Sequence, residues 1–224
     1  MSPGQGAAEF EPLLRDGLER LGLALSDDQV AQLLAYLDLI RHWNKVYNLT
    51  AVRDPREMVV QHLLDSLSVV LPLQRQRPVE QGARLLDVGA GAGLPGVVLA
   101  ICCPELAVEC VDAVAKKAAF IQQVAAQLRL PNLQGRHARV ETLAGPYDVV
   151  CSRAFASLAD FVSLTNNALA PGGIWLAMKG KYPDAEIAVL PSGVEVFHVE
   201  QLQVPALDAE RCIVWMRKTP AEQE

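Results

Sequence analysis

The chain has little of what would tie it to a membrane or to an oxidising compartment. Its five cysteines, Cys102, Cys103, Cys110, Cys151 and Cys212, are odd in number, contain no C-x-x-C pair and lie in apolar stretches. That usage argues against a disulfide framework or a zinc site and reads as buried thiols in a reducing compartment. No uninterrupted apolar run approaches the roughly 20 residues needed to span a bilayer. Met1 to Gly6 carries neither the basic cluster nor the apolar run of a signal peptide. A cytoplasmic protein without membrane contact is therefore expected. Positive charge is not in surplus either, with 20 Lys and Arg against 26 Asp and Glu and a formal net charge of −6. This balance disfavours a generic nucleic-acid coat but allows a local basic face. There is no internal repeat.

What is present is an ordinary globular composition, 51% hydrophobic and 21% charged over 224 residues. The length suits one sizeable core with an appendage. Residues 1–8 read as a frayed tail. Leu13, Leu14, Leu18 and Leu21 recur at helical spacing, and Ser26-Asp27-Asp28-Gln29 fits a capping box ahead of a helix reaching about Val46. Asp54-Pro55-Arg56-Glu57 restarts a helix that carries Met58, Leu63, Leu64, Leu67 and Val70. A linker follows around Pro72 to Gly82. Short apolar strands then alternate with helices: strands at 85–88, 107–111, 133–137, 147–151 and 174–178, helices at 96–102, 113–128 and 158–169. That alternation predicts an α/β fold with a doubly wound parallel sheet, and 194–199 and 212–216 close it as an antiparallel hairpin. The expected organisation is a helical extension at 9–80, a second unit at 83–218 and a tail at 219–224.

The most informative stretch is Asp87-Val88-Gly89-Ala90-Gly91-Ala92-Gly93-Leu94-Pro95-Gly96. Glycines at a strand-to-helix turn let a ligand approach the backbone closely at a helix N-terminus. Gly91 to Gly96 formally matches the dinucleotide fingerprint G-x-G-x-x-G, which alone is weak. The acids discriminate better. Asp87, two residues before Gly89, would repel a pyrophosphate and attract a cation such as the ammonium and sulfonium of S-adenosylmethionine. Asp112, ending the next strand, is placed to accept hydrogen bonds from ribose hydroxyls. The loop thus favours S-adenosylmethionine over a nicotinamide dinucleotide. A NAD-dependent oxidoreductase and a non-catalytic RNA-binding protein remain the alternatives. The strand order, ending in an antiparallel hairpin, resembles the class I methyltransferase fold (Rossmann-like).

Further blocks narrow the resemblance. Trp43 to Thr50 (WNKVYNLT), His62 to Leu67 (HLLDSL), the glycine loop, Ser152 to Leu158 (SRAFASL) and Met178-Lys179-Gly180 together resemble the bacterial small-subunit ribosomal RNA methyltransferase G family (RsmG, also called GidB). The resemblance implies S-adenosylmethionine-dependent methylation of N7 of one guanine in a 16S rRNA loop near the decoding centre. It also implies cofactor contacts at Gly89, Leu94, Val140, Glu141 and Arg153, beside Gly91, Asp87 and Asp112. Arg153 is expected to position cofactor or target rather than to move protons.

The chemistry agrees with what the chain carries. The block Ser152-Arg153-Ala154-Phe155 stands where an amine methyltransferase would have Asn/Asp-Pro-Pro-Tyr/Phe, and Cys151 sits in a core-like setting unsuited to a nucleophile. Guanine N7 owns an in-plane lone pair and loses no proton, so positioning and electrostatics suffice. For RNA the candidate contacts are Lys45, Arg53, Lys116, Lys117, Arg139 and Lys179, most of them on loops at the carboxyl side of the sheet. Core packing is expected for Trp43 and Tyr47, Phe155 suits either stacking or packing, and His62 with Asp65 is expected to form a local pair without metal. The expected partner is 16S rRNA or the small ribosomal subunit, bound by a monomer.

Overall fold

The computed structural model describes residues 6–77 and 82–219. The tail before Gly6, part of the linker and all but Thr219 of the C-terminal tail lie outside the described residues. Helix α1 (Glu11–Leu21) ends on Gly22 in left-handed backbone. Helix α2 (Asp27–Tyr47) starts at the Ser26–Gln29 capping box, both reciprocal bonds being present. The tail begins to pack earlier than expected. Ala7 is buried, its N–H donates to Asp38 Oδ2 at 3.1 Å, and a 3-10 turn covers Ala8–Phe10.

The Asp54 cap is made by its carboxylate accepting from Glu57 N–H at 2.9 Å. The helix beyond it is not uniform: α3 (Pro55–Met58) runs into a π-helical segment (Val59–Leu64) and then α4 (Asp65–Leu67). A wider turn shifts the faces of everything after it. The linker also begins later than expected. Pro72 is buried in the first turn of α5 (Val70–Gln76), where its missing N–H costs no helical bond.

The sheet strands are β1 (Arg84–Val88), β2 (Ala107–Asp112), β3 (Leu133–His137), β4 (Tyr147–Arg153), β5 (Leu169–Lys179), β6 (Val194–Leu202) and β7 (Arg211–Lys218). Their order is β3-β2-β1-β4-β5-β7-β6, with β7 antiparallel to both neighbours and every other pairing parallel. Strand β5 starts five residues earlier than periodicity suggests, at Leu169, and passes through Gly172, whose φ of +72° suits only glycine well. Helices α6 (Gly96–Cys102), α7 (Ala115–Gln127), α8 (Leu158–Thr165) and α9 (Asp184–Ile187) complete the fold. Alternation along the strands sorts the core. Leu85, Val149 and Leu176 face α6, α7 and the N-terminal helices, whereas Leu86, Val150 and Trp175 face α8. The first cluster runs unbroken from Leu14 and Leu37 to Trp215, so the N-terminal helices share a core with the sheet. Strand order reverses between β1 and β4, the place where open α/β sheets bind ligands.

Candidate active site

The loop from Gly89 to Pro95 carries positive φ at Gly89 (+66°), Gly91 (+60°) and Gly93 (+92°). Two of its glycines serve different ends. A Cβ at Gly89 would lie 2.4 Å from Phe155 Cδ2, so that position is closed by packing. At Gly91 a Cβ would meet nothing nearer than Gly89 O at 3.9 Å, which leaves the front of the loop open to a ligand.

Asp87 is fully buried behind this loop rather than facing a ligand, which corrects the expectation of direct contact with a cation. Its Oδ2 accepts from Gly96 N–H at 2.8 Å, while among the described residues its buried Oδ1 meets no closer polar partner than the weakly donating Cys151 thiol. It lies in register with Cys110 on β2 and Cys151 on β4. Burial pushes its carboxyl up to about 7, opposed chiefly by the Gly96 N–H bond. Both flanking thiols are buried and pushed well above the usual cysteine range by the same desolvation, so Cys151 is a core thiol. Asp112 holds the loop from β2: Oδ2 accepts from Gly91 N–H at 3.0 Å and Oδ1 from Val114 N–H at 2.8 Å. Each carboxylate oxygen keeps a second lone pair.

In front of the loop lies a cavity of about 480 Å³ at the β1–β4 switch point. Gly89, Ala90, Gly91, Ala92 and Leu94 form one wall; Arg153, Met178, Lys179 and Arg211 form another; Leu49, Thr50, Gln61, His62 and Asp65 close it from the N-terminal helices. Of the residues expected at the cofactor, Gly89, Gly91, Leu94 and Arg153 meet here. Asp112 lies beside the loop, and Val140 (buried) and Glu141 (exposed) sit on the 3-10 turn after β3, away from this cavity.

The cavity's charge is organised by Asp65, a carboxylate the sequence marks as a partner for His62 and not for arginines. Asp65, 2% exposed, accepts from Arg153 Nη1 at 2.8 Å and from Arg211 Nε at 2.9 Å. Arg153 Nη1 also donates to Gln61 O at 2.7 Å, and among the described residues its Nε and Nη2 make no hydrogen bond. The expected His62–Asp65 pair does not form. The π-helical segment sends His62 Nε2 to Thr50 Oγ1, 2.9 Å away, and turns Asp65 to the arginines. Burial, with the Arg153 charge adding to it, lowers His62 to about 4. Its ring is neutral near pH 7.

The expected RNA contacts divide. Lys45, Lys116 and Arg139 are exposed. Arg53, also exposed, bridges Asn44 O and Asn48 Oδ1. Lys117 is half-buried, 3.7 Å from Asp112. Lys179 lines the cavity, but its Nζ is held by Glu186 at 2.8 Å and by Ala156 O at 3.0 Å. Trp43 packs between Tyr47 and Phe120, with centroids 5.1 and 5.4 Å away. Phe155 packs over Gly89 and against Phe161.

Sheet order, loop and cavity define a class I S-adenosylmethionine-dependent methyltransferase. Solved structures share the fold. One is a ribosomal protein L11 methylase from Lactobacillus delbrueckii subsp. bulgaricus, with TM-score 0.53, 14% identity and coverage of 70% of this chain and 77% of that one. Another is TrmN from Thermus thermophilus, with TM-score 0.54, 14% identity and coverage of 98% and 80%. The family model described as rRNA small subunit methyltransferase G, GidB, matches residues 29–214. The ribosomal RNA small subunit methyltransferase G of Polaromonas sp. is 69% identical over 207 residues, covering 91% of this chain and 92% of that one. The Acidovorax sp. protein of that name is 66% identical over 215 residues, covering 93% and 95%. The chain belongs to the rRNA small subunit methyltransferase G family, and it is an S-adenosylmethionine-dependent rRNA methyltransferase. The dinucleotide reading of the loop is thereby set aside.

Proposed function

We propose that the cavity transfers a methyl group from S-adenosylmethionine to N7 of a guanine in 16S rRNA. The observation that carries this reading is the open front of the glycine loop at Gly91, facing a cavity whose far wall presents Arg153. The cofactor, when bound, supplies an electrophilic methyl on a sulfonium. Gly89, Gly91 and Leu94 would hold it by close backbone approach, and Asp112, Val140 and Glu141 would extend that site toward ribose and adenine. Asp87 acts from behind by holding Gly96. N7 attacks through its own lone pair, so no side chain needs to take a proton, and neutral His62 suits such a site.

Arg153 is the positioning residue. Asp65 and Gln61 fix one edge of its guanidinium, and the free edge can fork onto the cofactor carboxylate or onto guanine O6 and a phosphate. Exposed Lys45, Lys116 and Arg139, with Arg53, Lys117 and Lys179 nearer their own acceptors, would meet the RNA backbone. We assign residues 9–80 to target approach and 83–218 to catalysis, and read the enzyme as a cytoplasmic monomer acting on RNA or on the small subunit. Among the described residues no helix is long and apolar enough to cross a membrane, and no cluster of three or more potential metal-ligating side chains occurs.

Methyl transfer from labelled S-adenosylmethionine to small subunits lacking the modification tests the reading. Label mapped to one guanine, with chain scission at that base under N7-specific chemistry, is expected. Label on an exocyclic amine or a pyrimidine would overturn it.

A further inference from the structure

Helix α2 meets the sheet domain through three polar side chains on one face, at spacings of three and four residues. Gln29 Nε2 donates to Ile101 O at 2.8 Å, at the end of α6, and Gln32 Nε2 donates to Leu128 O at 3.1 Å, just past α7. Tyr36 goes further in. Its hydroxyl donates to Ala92 O at 2.6 Å, a contact 56 residues apart in the chain and buried on both sides. Two of these bonds satisfy helix-end carbonyls, an ordinary docking function. The third ends inside the glycine loop, on the residue between Gly91 and Gly93.

We propose that Tyr36 is a positioning residue for cofactor binding, which makes the N-terminal extension a structural part of the cofactor site. Ala92 lines the cavity, and a peptide flanked by two positive-φ glycines has little intrinsic preference for one orientation. Asp112 fixes the loop at the Gly91 N–H and Asp87 at the Gly96 N–H. Tyr36 supplies the one side-chain bond to a loop carbonyl among the described residues. Its ring is held in place independently, fully buried and stacked on Phe120 at 6.5 Å between centroids. Burial raises its phenol well above the usual tyrosine range, so the hydroxyl stays a donor at every working pH. Without it, Ala92 O is a buried acceptor with no partner, a state relieved by rotating the peptide out of the geometry that faces the ligand.

This inference rests on the cofactor reading of the loop, and the test separates the two. S-adenosylhomocysteine is titrated by calorimetry into wild type, Tyr36→Phe and Gln32→Leu, well below their melting temperatures. Tyr36→Phe keeps the ring and is expected to weaken affinity by about five- to tenfold. In turnover its KM for S-adenosylmethionine should rise by a similar factor, with kcat and the KM for small subunits held. Gln32→Leu removes an equivalent docking bond away from the loop. It should lower the melting temperature and leave affinity unchanged, the pattern of a purely structural contact. Because the titrations run well below the melting temperatures, where the folded fraction is close to one and does not weaken the apparent dissociation constant, a less stable Tyr36→Phe still reports. Unchanged affinity in Tyr36→Phe, or equal weakening in Gln32→Leu, would overturn the role of Tyr36. No heat of binding in wild type would instead remove the cofactor reading itself.

Discussion

The two walls of the cavity are built on opposite principles. The glycine wall comes from one run of the chain, presents backbone, and is held by residues behind it: Asp87, Asp112 and Tyr36. The arginine wall presents side chains and is assembled from residues far apart, Asp65 reaching Arg153 across 88 positions and Arg211 across 146. One wall is a local motif with remote supports; the other exists only after folding. Damage to the first should appear in cofactor affinity, and damage to the second in stability and turnover.

The largest effect is expected from Gly96→Ala. A Cβ there would lie 2.3 Å from Cys110 Sγ and 2.8 Å from Asp87 Oδ2, so the loop must leave its support. Binding of S-adenosylhomocysteine should fall below detection by calorimetry. Gly91→Ala, with open space but φ of +60°, should fold and lose affinity mainly by intruding on the ligand. A Gly96→Ala protein with wild-type affinity would break the contrast between the two positions.

On the other wall, Asp65→Ala leaves two guanidinium groups without their shared carboxylate. Breaking a buried pair costs roughly 3–5 kcal/mol. Both arginine side chains retain some solvent, 20% and 26% exposed, so about 2 kcal/mol is expected in denaturant unfolding. Arg153→Lys should fold and lose at least about tenfold in methyl transfer, roughly 1.4 kcal/mol, because a point charge cannot replace the planar fork. An accompanying loss of cofactor affinity would put the free edge of Arg153 on the cofactor, and retained affinity would put it on the RNA.

Asp87 behind the glycine wall and His62 on the N-terminal side of the cavity carry opposite pH dependences. Asp87 is raised to about 7, so the folded state binds its proton more tightly, and its stabilisation is full at low pH and lost as pH rises through 7. His62 is lowered to about 4, so its contribution is present above about 6.5 and lost as pH falls toward 4. The two slopes oppose each other in wild type. Asp87→Asn, which mimics the protonated acid, should leave stability rising with pH between about 4 and 6.5, whereas His62→Gln should leave it falling up to about 7. Urea melts across that range check both signs.

The smallest effect concerns RNA. Lys116→Ala should reduce the salt slope of RNA binding by about 0.7 to 0.9 and spare cofactor affinity. Lys117→Ala is a poorer probe, since Lys117 also stands 3.7 Å from the carboxylate that holds Gly91.

Local chemistry, and hence the sequence alone, determined the Ser26 and Asp54 caps, the alternation of strands and helices, the terminal hairpin and the glycine loop with its acids. Each depends on neighbours a few residues apart, where propensity and periodicity act directly. The family motifs added the reaction and marked Arg153. Tertiary structure alone decided the rest. It placed Asp87 behind the loop, because a strand-end side chain one pleat inward is buried by its neighbours. It opened the π-helical turn that splits His62 from Asp65, a change of one residue in hydrogen-bond span that no spacing rule marks. It brought Arg211 and Tyr36 to the site from the last strand and the second helix. Such contacts depend on how the sheet stacks against the extension, and that geometry is set by the packing of the whole core.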